Sequence, residues 1–106
     1  MTDSAVKYER GDDGIVVLTL DDPTASANTM NDLYRDSMKA AVDRLYAEKD
    51  ELTGVVITSA KKTFFAGGNL GEILAASPDR AEAWTAEVNT MKRNMRRIEL
   101  LPVPKV

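Results

Sequence analysis

The sequence contains no cysteine and no histidine, and among its 106 residues only six are aromatic: one Trp, three Tyr and two Phe. Without cysteine there is no disulfide framework, no thiol nucleophile and no thiolate metal site. Without histidine, Ser-His-Asp triads and imidazole metal ligands are excluded within this chain. No metal site is expected. No run approaches the ~18 consecutive apolar residues of a membrane span, and the first ten residues lack the basic and apolar regions of a signal peptide, so no membrane span is expected and a cytoplasmic location is the default. Positive charge is not in excess either: 14 Lys+Arg against 17 Asp+Glu leave a net charge of −3, which gives no global field to attract nucleic acid, and no nucleic-acid partner is expected.

What is present describes a single globular unit. Hydrophobic residues make up 43% of the chain, and a domain of this size buries roughly 65% of the surface its unfolded chain would expose. Val6–Arg10 and Ile15–Leu20 read as two strands flanking Gly11-Asp12-Asp13-Gly14, a hairpin. Residues 21–29 are small, polar and broken by Pro23, hence loop. Tyr34, Met38, Ala41, Val42 and Leu45 then fall on one helical face, with Asn31 placed to cap it. The β-branched run 53–59 suits a strand covered on both faces, as in a parallel sheet. The order of elements gives an α/β layer structure.

After a loop over 61–68, a short helix is expected at 70–76. A second, longer helix is announced by Ser77 as cap, Pro78 at its first position and Asp79 near its positive end. Trp84, Val88, Met91, Met95 and Ile98 form its apolar stripe, which Pro102 and Pro104 stop; Trp84 reads as core rather than ligand platform. Residues 102–106 look like the start of another strand, which marks the chain as a fragment. The strand at 55–57 and the helix stripe are patterned to pack against further elements, so an unpaired sheet edge and an exposed stripe are expected to favour association.

The most informative stretch is Thr63-Phe64-Phe65-Ala66-Gly67-Gly68-Asn69-Leu70. Two glycines before a helix start let backbone N–H groups face a ligand, and a helix N-terminus favours negative charge, so the loop can hold an oxyanion. The same pair serves equally well as a tight strand-to-helix connection. Ala66-x-Gly68-x-x-Gly71 also approaches a dinucleotide-binding fingerprint, but the five residues between strand and glycines and the break at Pro78 oppose it. Lys61-Lys62 and the group Lys92, Arg93, Arg96 and Arg97 are read as solvated, and Asp21, Asp22, Glu72, Glu82 and Glu87 show no pairing that spacing can certify.

Taken in order, Gly14-Ile15-Val16-Val17-Leu18-Thr19-Leu20-Asp21-Asp22-Pro23, Ala27-Asn28-Thr29-Met30-Asn31, Thr53-Gly54-Val55-Val56-Ile57-Thr58-Ser59 and Thr63-Phe64-Phe65-Ala66-Gly67-Gly68-Asn69-Leu70 resemble the enoyl-CoA hydratase (crotonase) family. The likeness is closest to the hydratase region of multifunctional fatty-acid oxidation proteins that also carry a 3-hydroxyacyl-CoA dehydrogenase. The resemblance implies that residues 1–106 are the N-terminal portion of a crotonase-like ββα superhelix, truncated before the second half of the active site. It implies an acyl-CoA substrate, with coenzyme A part of that substrate and no separate cofactor. The backbone N–H of Gly68 would be one donor of the oxyanion hole, and Ala25, Ser26, Ala27, Asn28, Ala66, Gly67, Gly68, Asn69 and Leu70 would line the CoA and acyl site. Asn69 stands where the family commonly has Asp, and no residue here matches either family glutamate. The implied partners are a second copy of the chain or the missing C-terminal portion. The alternatives are a noncatalytic interaction module, or an isomerase or hydrolase of the same fold.

Overall fold

The computed structural model describes residues 4–66, 79 and 81–106. The expected helix at 70–76, the cap at Ser77 and Pro78, and the site residues Gly67, Gly68, Asn69 and Leu70 lie outside the described residues.

The chain begins with β1 (Val6–Arg10) and β2 (Ile15–Leu20), antiparallel neighbours in a register running from Val6 opposite Leu20 to Arg10 opposite Val16. The turn between them is closed by Gly11 N–H to Ile15 O at 2.9 Å and by Ile15 N–H to the Asp13 carboxylate at 3.0 Å. Gly14 has φ +83°, the left-handed region that favours glycine, and a Cβ there would stand 2.8 Å from the Glu51 carbonyl oxygen.

Helix α1 (Asp32–Ala47) follows, and then β3 (Gly54–Ser59), which pairs parallel to β2 from Ile15 opposite Gly54 to Leu20 opposite Ser59. The sheet order is β1-β2-β3. A parallel pair needs a crossover, and α1 supplies it while covering the sheet. All five residues of its expected apolar face are buried, and Asn31 Oδ1 accepts the Tyr34 N–H at 2.8 Å, the expected cap. Alternation along β2 sends Val16, Leu18 and Leu20 into the core. There they meet Val55 of β3, Met38, Val42 and Leu45 of α1, and residues of the last helix.

That helix, α2 (Ala81–Leu100), departs from its expected stripe. Met91 and Ile98 are buried, but Asn94 is buried beside them, Met95 is 48% exposed and Trp84 is 36% exposed. The cause is its docking on α1. Arg97 pairs with Asp43 at 2.8 Å, and the Tyr46 hydroxyl donates to the Arg97 carbonyl at 2.7 Å. In this docked orientation Asn94 faces inward and Met95 outward. Trp84 therefore sits at the rim of the core rather than inside it.

β3 is covered less fully than a strand buried on both faces, since Val56 and Ile57 are half-buried and Thr58 is exposed. Its outer edge is not bare along 55–57, contrary to expectation. Val55 N–H donates to Pro104 O (2.9 Å), Val106 N–H to Val55 O (2.9 Å) and Ile57 N–H to Val106 O (2.8 Å), a parallel start to a further strand. The Lys105 ammonium meanwhile donates to the carbonyls of Glu99 and Leu101, closing the C-terminal end of α2.

Gly14→Ala should lower unfolding stability by about 1–3 kcal/mol, because a side chain is forced into positive φ and against the Glu51 carbonyl. Urea melts of the two proteins measure the difference, and equal midpoints would show that the turn relaxes freely.

Candidate functional site

The C-terminal ends of β2 and β3 lie side by side, so the loops that follow them, 21–31 and 60–66, leave the sheet from the same edge. That is where an open sheet with parallel strands gathers ligand-binding backbone. Every expected site residue that the structure describes lies in these two loops. Ala25, Ser26 and Ala66 are exposed, Ala27 is half-buried, and Asn28 is 2% exposed.

Asn28 joins the two loops. Its Nδ2 lies within hydrogen-bond distance of Leu20 O (3.1 Å), Ser59 Oγ (2.9 Å) and Phe64 O (3.2 Å), and its Oδ1 accepts the Asp22 N–H at 3.1 Å. Its own carbonyl accepts the Ala66 N–H at 2.7 Å. Ser59 Oγ in turn donates to Thr63 O (2.9 Å) and accepts from Lys61 N–H (3.0 Å). The Phe65 ring packs on the Tyr34 ring of α1 with centroids 5.0 Å apart. Loop 60–66 is thus held from both sides just ahead of the Gly67-Gly68 pair in sequence.

Loop 21–31 is fixed internally by Asp22, which is 1% exposed and therefore not the solvated carboxylate that the sequence suggested. Its Oδ1 accepts from Thr24 N–H (2.8 Å) and Thr24 Oγ (2.6 Å), and its Oδ2 accepts from Asn31 Nδ2 (2.7 Å). The same Asn31 caps α1, so helix and loop share one amide. Burial pushes the Asp22 carboxyl up, but the hydrogen bonds from Thr24 and Asn31, helped by Lys61, outweigh it and hold the group below the usual carboxylate range. Asp21 is also held low, by hydrogen bonds from Lys7 and Lys61, each 3.1 Å away. Lys61 and Arg97, read from sequence as solvated, are both ion-paired. The sequence did carry a signal for Asp22, namely a Thr two residues on, the spacing at which a carboxylate and its own following backbone form a local turn.

Among the described residues no group of three or more acidic side chains is placed to hold a metal ion. No described helix is long and apolar enough to cross a membrane. The carboxylates at this edge are occupied as hydrogen-bond acceptors and held ionised, which suits them to fixing backbone rather than to donating protons.

With the geometry in place, the comparison with known proteins defines the class. Residues 10–106 match the enoyl-CoA hydratase/isomerase family, and the chain belongs to it. It shares the crotonase fold of that family: the enoyl-CoA hydratase of Mycobacterium smegmatis superposes with a TM-score of 0.80 at 25% identity, over 97% of this chain and 38% of that one. The enoyl-CoA hydratase of Bacillus anthracis superposes with a TM-score of 0.76 at 19% identity, over 96% of this chain and 38% of that one. Among curated proteins, a fatty acid oxidation complex subunit alpha of Idiomarina loihiensis is 36% identical over 72 residues, 67% of this chain. A second match of that name from the same organism is 31% identical over 87 residues, 80% of this chain. The chain spans 10% and 12% of the lengths of these two relatives.

Stability should fall on the acid side. Asp21 and Asp22 have depressed folded values, so their contribution is present above the ordinary carboxylate pKa of about 4 and is lost as pH falls through the folded values. Asp22→Asn should lower Tm at pH 7, with the gap to wild type closing below about pH 4 as Asp22 itself protonates. Thermal melts from pH 7 to pH 2 follow this, and a gap independent of pH would show that the charge of Asp22 is immaterial.

Proposed function

We propose that the chain is the N-terminal part of an enoyl-CoA hydratase of fatty-acid β-oxidation, a cytoplasmic lyase region that binds an acyl-CoA thioester. Coenzyme A enters as part of the substrate, and no other cofactor is needed. The supporting observation is the junction of loops 21–31 and 60–66, where Ala66 N–H bonds Asn28 O at 2.7 Å at the common exit of two parallel strands. The family match and the fatty-acid oxidation names of its relatives support the reaction class.

In this reading water adds across the 2,3 double bond of an enoyl-CoA. Negative charge then develops on the thioester oxygen as an enolate, and a fixed N–H donor aimed at that oxygen matters by ~10²–10³ in rate. The Gly68 N–H fills that role, while Ala25, Ser26, Ala27, Ala66, Gly67, Asn69 and Leu70 line the bound thioester, largely through backbone, and the buried Asn28 belongs to the site by holding the two loops together behind it. Asn69 supplies a neutral amide where the family commonly has a carboxylate. The partly exposed Trp84 and Met95 leave apolar surface on α2, which self-association or the C-terminal portion of the fold covers.

The 106-residue chain should bind butanoyl-CoA more tightly than free CoA in calorimetric titration, and Gly68→Pro, which removes the N–H, should erase about 2–10-fold of that preference. Equal affinity for thioester and free CoA would remove the oxyanion reading. The same chain should not hydrate a short enoyl-CoA, since none of its residues matches either family glutamate. Steady loss of the conjugated thioester absorbance would place proton-transfer groups within these residues. Sedimentation velocity tests the association, and a clean monomer would show that α2 needs no cover.

A further inference from the structure

We propose that Asn28 is the positioning residue that fixes the backbone at Ala66 against the ends of β2 and β3, and that it does so through its buried side-chain amide. The consequence for ligands rests on the acyl-CoA reading above; the coupling of the two loops does not.

The argument starts from what a planar amide offers. One group supplies two N–H donors and one carbonyl acceptor in fixed relative directions. At Asn28 the two N–H hydrogens are shared among three acceptors, Leu20 O of the last residue of β2, Ser59 Oγ of the last residue of β3 and Phe64 O in the second loop, while the amide carbonyl takes the N–H of Asp22 in the first loop. Four chain segments therefore converge on one side chain. The peptide of Asn28 adds a fifth tie by accepting Ala66 N–H, so the side-chain amide and its own backbone grip loop 60–66 at Phe64 and Ala66. No other residue type reproduces this set. Aspartate keeps the acceptor but turns oxygens toward the Leu20 and Phe64 carbonyls; leucine leaves Asp22 N–H and both carbonyls without this partner in a buried place.

Such a junction transmits position. If loop 60–66 shifted, the Phe64 and Ala66 bonds would break together, and Ser59 Oγ, which also receives Lys61 N–H and donates to Thr63 O, would lose its register. Ala66 itself is exposed, so burial of its own side chain does not perform the task. The position of the Ala66 peptide is set by Asn28.

The test compares Asn28→Ala and the milder Ser59→Ala with a control, Tyr46→Phe. The control removes the part-buried hydrogen bond from the Tyr46 hydroxyl to the Arg97 carbonyl (2.7 Å), near the C-terminal end of α1 and away from loops 21–31 and 60–66. All measurements are made at temperatures where each protein is folded by circular dichroism. Amide hydrogen exchange at Ala66 and Asp22 should speed up by at least ~10-fold in Asn28→Ala and by less in Ser59→Ala, with the amides of Val16 and Leu18 unchanged and the control like wild type. Unchanged exchange at Ala66 in both variants overturns the proposal, as does an increase shared equally by the strand amides or by the control. In calorimetry, the preference for butanoyl-CoA over CoA should fall with the Ala66 protection and persist in Tyr46→Phe. Persistence in Asn28→Ala despite lost protection would overturn the positioning role. A wild-type chain with no thioester preference would sink the acyl-CoA reading, and the exchange arm would then decide the loop coupling by itself.

Discussion

A buried amide that cannot reach water must find its partners within the chain, and leaving one of them unmet costs about 1–3 kcal/mol. Asn28 meets this constraint by drawing together the last residues of two strands and the two loops that follow them. The loop end of the molecule is organised around that requirement. Asp22 extends it, since the peptide N–H given to Asn28 and the carboxylate that receives Thr24 and Asn31 belong to one residue. Asn31 carries it on to α1 by capping the helix. A short chain of polar groups thus relates sheet, loop and helix beside the apolar contact of Phe65 on Tyr34.

At the opposite extreme the core is held by ordinary hydrophobic burial, with Val16, Leu18, Val42, Leu45 and Val55 almost entirely removed from solvent. The two kinds of order have different tolerances. Apolar contacts between β2 and α1 can repack at modest cost when volume is conserved, whereas a planar amide either reaches its partners or leaves them stranded. The rigid part of the site is therefore the polar part. Its charges sit in a second layer, Lys7 and Lys61 flanking Asp21, where exposure and screening make each pair worth little for stability by itself.

Much of the frame was legible in the sequence because its signals are local. The strand bounds, the hairpin glycine, the Asn31 cap and the α1 face follow from period, turn chemistry and capping, which neighbouring residues settle among themselves. The orientation of α2 did not, because it depends on docking against another helix, where Arg97 meets Asp43 and Tyr46. The same holds at the site. Asn28 could be picked out by motif, yet its five ties span separations of up to 38 residues in the chain, and Asp22 looked like any surface carboxylate until the loop closed over it. Periodicity reports which face is apolar; it says nothing of which polar group will be walled in.

The scarcity of chemically reactive side chains fits this architecture. With no histidine and no cysteine, the expected ligand-facing residues described at the loop edge, Ala25, Ser26, Ala27, Asn28 and Ala66, are small or amide-bearing, and what they can present to a ligand is largely backbone. Backbone donors have no titration to tune, so their effectiveness rests wholly on where they are held. Successive parallel strands help, because β2 and β3 release their loops at the same edge and residues 104–106 add a third chain in the same direction. A fold that grows by adding parallel strands therefore concentrates its loops through strand direction, whatever charges they carry. The requirement then falls on a residue able to lock adjacent loops in register, and the structure places a single buried asparagine at that position.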